Sequence, residues 1–368
     1  MLKNRYVFLD GLRGIAAIFV LMHHTSSFWG FSFPKGYLAV DLFFILSGFV
    51  IGHAYDAKLQ RRDISLLKFF RLRLIRLYPI YLLSIFVCLV TIILGALPHL
   101  PSPDGKAAFI EIAAVTASTL FFIPFHASGT TILFPMNAPY WSLFFELISN
   151  FIYATCRPIL GNKVLISIVG SAAIGIILIV NHFGYLNSGH SWDKFVIAGG
   201  IFRSSFGFFI GLFLYRNHTK LGRHCKSRFL PWASLIIVAM ILGAPSFREY
   251  KGIDDLIAVF IIFPFVVTVA AHGKTIRFDR PLIALGAASY PIYLLHAPVS
   301  HLIEHEMGAT VIASAPASGI ALLLGLVVSA FLIDKYYDIP VRQWLSGRRD
   351  RQIVLSPCTS SVNQSTVQ

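Results

Sequence analysis

Arg13 and His24 stand eleven positions apart inside the first apolar run of the chain, "VFLDGLRGIAAIFVLMHH". At 100° per residue, eleven steps bring a side chain back to within about 20° of its starting direction and raise it roughly 16 Å. A helix over this run therefore carries both side chains on one face at two depths. Arg is a permanent, forked cation suited to phosphate or carboxylate. His exchanges a proton near neutral pH. The pair suits a long anionic ligand that enters along the helix and meets a proton-transfer group at its reactive end. Asp10 stands one turn before Arg13 and is placed to pair with it. Taken singly, a snorkelling arginine or a packed polar histidine explains either residue; the shared face argues for chemistry.

Further polar groups interrupt later apolar runs, where a charge costs several kcal/mol and persists for a partner, a cavity or a substrate. "FFRLRLIRLYPIYLL" supplies Arg71, Arg73 and Arg76; Arg71 reads as an interfacial anchor, whereas Arg73 and Arg76 are neighbours on one face. "AVDLFFILSGFVIGHAY" places Asp41 at the start of a run and Ser47-Gly48 within it, small residues that favour close helix packing. "NAPYWSLFFELISNFIYA" sets Glu146 beyond the interfacial aromatics Tyr140 and Trp141. Arg203 lies deep in "GGIFRSSFGFFIGLF" and calls for an anionic partner. "ASYPIYLLHAPVSHLIEHE" contributes Tyr293 and His296. His301 and His305 follow at metal-ligand spacing, but without an HExxH pattern and at a span end they read as loop residues, so no metal is expected.

These residues must be positioned by membrane helices. The 368 residues are 56% hydrophobic and 13% charged, against roughly 25% charged in soluble domains, and the mean hydropathy is +0.71. The expected fold is all-α and polytopic. Spans are expected at 7–27, 38–54, 72–97, 140–156, 164–183, 195–215, 229–244, 255–271, 281–300 and 311–333, with 107–125 re-entrant. With ten crossings and both termini cytoplasmic, Lys58, Arg61, Arg62, Lys68, Arg157, Lys163, Arg216, Lys220, Arg223, Lys226, Arg228, Lys274, Arg277 and Arg280 fall on the inner side. That loop distribution, without an aromatic-interleaved basic face, accounts for the net charge of +14 and argues against a nucleic-acid partner. Residues 1–339 read as one integral-membrane domain and 340–368 as a short cytoplasmic tail, disordered at "SPCTSSVNQSTVQ". Cys88, Cys156, Cys225 and Cys358 lack CxxC spacing, and the first run shows no small-residue cleavage site.

"LDGLRGIAAIFVLMHH", "VDLFFILSGFVI", "RLIRLYPIY", "YWSLFFELISNFIYA" and "SYPIYLLHAPV", in this order, resemble the membrane-embedded acyltransferase family 3 from residue 5 to about 335. The resemblance puts the family's Arg-x10-His motif on Arg13 and His24, its paired arginines on Arg73 and Arg76, its glutamate on Glu146 and its late Tyr and His on Tyr293 and His296. It implies a membrane-bound O-acyltransferase of a bacterial inner membrane. Such an enzyme has no permanently bound cofactor and moves an acyl group, usually acetyl from cytoplasmic acetyl-CoA, to a hydroxyl of a cell-envelope carbohydrate or other acceptor, with envelope-synthesis proteins as possible partners. Arg13, Arg73 and Arg76 would hold the acyl-CoA, His24 would act as general base or transient acyl acceptor, Glu146 would orient His24 or the acceptor, and Arg203 would neutralise substrate charge. The two phenylalanines of "WSLFFE" depart from the family's commoner small or β-branched residues. The rival readings are a transporter or flippase of an envelope precursor, which calls for repeat symmetry not evident here, and a non-catalytic scaffold.

Overall fold

A backbone in hydrocarbon must satisfy its own hydrogen bonds, which leaves helices as the economical choice for these apolar runs. The computed structural model describes residues 5–97, 100, 105–222, 227, 229–245, 252–273 and 279–346. In order come α1 (Val7–His24), α2 (Ser26–Trp29), a 3-10 turn (Gly36–Leu38), α3 (Ala39–Gln60), α4 (Leu66–Ile93), α5 (Lys106–Leu120), α6 (Tyr140–Cys156), α7 (Asn162–Phe183) and α8 (Lys194–Leu221). There follow α9 (Leu230–Gly243), α10 (Ile253–Ile257), a π turn, α11 (Phe263–Ala271), α12 (Asp279–Ala313), α13 (Ala317–Ile333), a second π turn (Asp334–Asp338) and α14 (Ile339–Leu345). Among the described residues eight helical segments are long and apolar enough to cross a membrane. The segments expected at 140–156 and 229–244 are helical but shorter. Phe86, Ile174, Leu178, Ile261 and Leu324 are exposed, as a bundle facing lipid requires, while Arg203 and Asp41 are buried.

Several boundaries differ from expectation, α3 running on to Gln60 and α8 to Leu221 among them. α4 begins at Leu66, not 72, because Ser65 caps it by accepting from the Lys68 amide at 3.2 Å. α12 continues past 300 to Ala313, turning at Met307 (φ −136°, ψ 23°), so 311–313 close α12 and 314–316 form the turn before α13. α14 occupies the start of the expected tail, and its Arg342 is buried; residues 347–368, with Cys358, and Cys225 lie outside the described residues. The segment expected to be re-entrant holds α5, whose 15 residues extend roughly 22 Å, short of the ~30 Å hydrocarbon core. Tyr78 and Tyr81 of α4 donate to its Leu120 and Thr119 carbonyls, each at 2.7 Å.

Glycines set the two crossings that matter for the site. A Cβ on Gly48 of α3 would lie 1.9 Å from the Phe208 carbonyl oxygen of α8, and one on Gly211 would lie 2.1 Å from that of Ile45. Between α1 and α12, Gly14 abuts Leu285 and Gly286 abuts Asp10. Small residues let helix backbones approach closely in a bilayer. These crossings bring α3 to α8 and the polar face of α1 to α12.

Candidate active site

Arg13 from α1, Ser47 from α3, Arg73 and Arg76 from α4, Ser142 and Glu146 from α6, and Ser289, Tyr290 and Tyr293 from α12 line one cavity of about 100 Å³. Its charged lining is three guanidinium groups to one carboxylate. Ser47 Oγ donates to Glu146 Oε1 at 2.6 Å, and Arg73 Nη2 donates to the same oxygen at 2.7 Å. Arg73 Nε is buried and makes no hydrogen bond among the described residues. Arg76 Nη1 stands 3.6 Å from Asp338 Oδ2, an oxygen already 2.5 Å from Arg342 Nη2. With one carboxylate among three guanidinium groups, the cavity wall favours an anionic or strongly polarised guest.

His24 does not line this cavity. It sits at the end of α1 with an accessible side chain, and its Nδ1 lies 2.9 Å from the Val20 carbonyl and 3.3 Å from Nε2 of His296. His296 is fully buried, with Nδ1 3.1 Å from the Ile292 carbonyl. The His296 ring stands 6.1 Å from that of Tyr293, which belongs to the cavity wall. Tyr293 donates to the Pro139 carbonyl at 3.1 Å and contacts Ser142 Oγ at 2.6 Å. Arg13 and His24 therefore both meet α12, as their spacing predicts, but in two compartments separated by the Tyr293–His296 turn.

Asp41 and Arg203 form a different structure. Arg203 donates through Nε and Nη2 to the two Asp41 carboxylate oxygens at 3.0 and 2.7 Å, to the Ser188 carbonyl at 2.6 Å and to the Tyr37 carbonyl at 3.1 Å. Its guanidinium also lies 5.2 Å from the Trp141 ring centroid. With both groups enclosed, none of this charge is presented to a guest, so the role suggested for Arg203 on a substrate gives way to one in tying α3 to α8. The network continues through Tyr37 Oη, which donates to the buried Asp255 at 2.5 Å. Lys35 also bonds Asp255 at 2.5 Å, and it pairs with Asp254 at 2.6 Å. Burial alone would lower the Lys35 pKa, but the two aspartates outweigh it and hold the ammonium above its usual value. Asp10 accepts from Arg5 Nε at 2.7 Å, with the Arg13 charge also close. On the far end of α3, Asp56 gathers Arg216 (2.8 Å) and Arg157 (2.5 Å), again a helix tie.

Sequence reasoning did not single out Ser47 as a partner of Glu146, nor Asp338, Lys35 or Asp255. Ser47 was visible only as a small packing residue. Asp338 stands in "DKYYD" just after the last apolar run, where an acidic residue looks solvated. His301 lies 3.9 Å from Glu304 and His305 3.1 Å from Glu306. Among the described residues no group of three His, Cys, Asp or Glu is placed to hold a metal ion.

A polytopic helical bundle with an arginine-rich internal cavity and a histidine pair at its edge defines a membrane-embedded protein with a charged internal site. The comparisons narrow the class: the family model described as an acyltransferase domain, of the acyltransferase 3 type, matches residues 6–334. The chain belongs to this acyltransferase family, which decides against the transporter reading. "Protein 2 in picA locus" of Rhizobium radiobacter is 41% identical over 163 residues, covering 41% of this chain and 82% of that relative. "O-acetyltransferase OatA" of Staphylococcus aureus (strain NCTC 8325 / PS 47) is 24% identical over 314 residues, 79% of this chain and 50% of that protein. "Peptidoglycan O-acetyltransferase OatA" of Listeria monocytogenes is 24% identical over 320 residues, covering 79% of this chain and 49% of its own length. The chain thus spans about half the length of these OatA relatives. No solved structure matches it.

Proposed function

We propose that the protein transfers an acetyl group from acetyl-CoA, bound from the cytoplasmic side of a bacterial inner membrane, to a hydroxyl of an envelope carbohydrate. One observation carries the reading: three arginines and a glutamate from three helices converge on a small cavity within the membrane bundle, and the accessible His24 contacts His296, one helix turn from the cavity-wall residue Tyr293. Arg13, Arg73 and Arg76 attract the anionic donor, and a guanidinium beside the thioester oxygen stabilises the charge that develops there. His24 takes the proton of the acceptor hydroxyl as its oxygen bonds to the acyl carbon. The C–S bond then breaks and the thiolate leaves with the CoA.

Size supports acetyl. An engineered cavity of about 150 Å³ holds benzene, so this cavity of about 100 Å³ accommodates roughly four non-hydrogen atoms. A thioacetyl end fits that space. The OatA relatives, named as O-acetyltransferases, support the same acyl group and an envelope acceptor.

The test uses membranes carrying wild type or His24→Ala at matched levels, supplied with acetyl-labelled acetyl-CoA. Label should enter envelope glycans with wild type and fall at least about 100-fold with His24→Ala, the lower end of what proton transfer supplies. Equal labelling by both would remove His24 from the reaction.

A further inference from the structure

We infer that His296 is a positioning residue that sets the tautomer of His24 and thereby turns its Nε2 into the base. The inference rests on the acyl-transfer reading and deepens it. A carbonyl oxygen only accepts hydrogen bonds, so a neutral ring nitrogen bonded to one must carry the hydrogen. His296 Nδ1 faces the Ile292 carbonyl at 3.1 Å, so its proton sits there and its Nε2 is a bare acceptor. His24 Nδ1 faces the Val20 carbonyl at 2.9 Å, so it too is protonated. That N–H also lies 3.3 Å from His296 Nε2 and is shared between the two acceptors. With Nδ1 occupied, the lone pair of neutral His24 is on Nε2, which has no hydrogen-bond partner among the described residues. One ring is buried and the other accessible, so the order of the pair is fixed: His296 orients and His24 reacts.

Burial without solvent gives this arrangement its direction. His296 is fully buried on α12, next to Pro298 and one turn from Pro291, and its ring is held by its own helix. It can accept from His24 without competing water. When His24 gains the acceptor's proton at Nε2, its Nδ1–H becomes a stronger donor to the waiting His296 Nε2, which spreads the new charge over two bonds. The other ionisable groups around the pair are His23 on α1, whose ring stands 5.0 Å from that of His24, Tyr37 of the 3-10 turn beyond it, and Tyr293, His301 and Glu304 on α12. His23 bonds the Phe33 carbonyl through Nδ1 at 2.8 Å, and Glu304 accepts from Ser27. The orienting contact that the structure gives His24 from another helix is therefore His296.

The test compares wild type, His24→Ala, His296→Phe, His296→Gln and His296→Glu in the labelled acetyl-CoA assay, each across pH 5–9, with melting of the purified protein as a check on folding. His296→Phe should lower kcat on the order of 10-fold or more with little change in KM for acetyl-CoA, since it leaves the arginine cavity intact. His296→Gln, whose amide oxygen can accept the Nδ1–H, should recover much of that loss. His296→Glu should move the acidic limb of kcat/KM to higher pH, because a carboxylate stabilises the His24 imidazolium more than a neutral ring does. A folded His296→Phe protein with wild-type kcat would overturn the proposal. So would all three His296 variants losing rate equally with an unmoved acidic limb, which is the pattern of a packing residue. Transfer that survives His24→Ala at the wild-type rate would remove His24, and with it the proposal, whereas no transfer by folded wild type would instead overturn the acyl-transfer reading on which the proposal rests.

Discussion

Two groups of buried charges lie within one bundle and behave differently. Around Arg203 four hydrogen bonds and an aromatic face hold the guanidinium: two oxygens of Asp41, two carbonyls and the face of Trp141. Around Arg73, one carboxylate oxygen is shared with Ser47, and Nε has no hydrogen-bond partner among the described residues. A buried charge with full coordination has nothing to offer a ligand and everything to lose when its partner is removed. A buried charge left short of partners is held by the surrounding fold and is stabilised further when a guest arrives. The difference separates the ties that build this membrane domain from the groups that work in it.

The sharpest way to break the comparison is to remove a tie. Arg203→Met leaves Asp41 as an unpaired buried anion together with two stranded carbonyls, and breaking such a pair costs about 3–5 kcal/mol. The expected outcome is loss of monodisperse protein on detergent extraction, or a strongly lowered Tm, with transfer lost only in proportion to folded protein. A variant that folds normally yet transfers nothing would move Arg203 back among the working residues. The smallest expected effect sharpens the other side. Ser47→Ala removes one of the two donors to Glu146 Oε1 while Arg73 remains. The rate should fall by about 10-fold, equivalent to ~1.4 kcal/mol in the barrier, with Tm unchanged. A drop as deep as that expected of His24→Ala would show that the serine takes part directly.

Much of this was readable before any coordinates. A charge inside an apolar run stands out by its cost, so Arg13, Arg73, Arg76, Glu146, Arg203 and Asp41 were all visible, and the run lengths gave the helices that carry them. What the sequence could not distinguish was saturation. Asp41 meets Arg203 across 162 positions, and His24 meets His296 across 272; such pairings depend on which helices cross, and no local pattern encodes them. Ser47 illustrates the same limit at short range. It looks like one half of a small-residue packing pair, and Gly48 does pack against α8, but the neighbouring hydroxyl turns to Glu146. The helix ends were misjudged where hydropathy faded before the helix did. α4 starts in a basic turn held by a serine cap, and α12 carries its polar outer end past 300 to Met307 before turning.

The central claim is that the arginines lining the cavity receive the anionic donor. Binding of a non-hydrolysable acetyl-CoA analogue to purified wild type and Arg13→Gln tests it most directly. The account predicts that Arg13→Gln binds the analogue at least about 10-fold more weakly, the loss of one charge-assisted contact, in protein whose melting without ligand shows it folded. An unchanged Kd for Arg13→Gln would contradict it and take the donor out of this cavity.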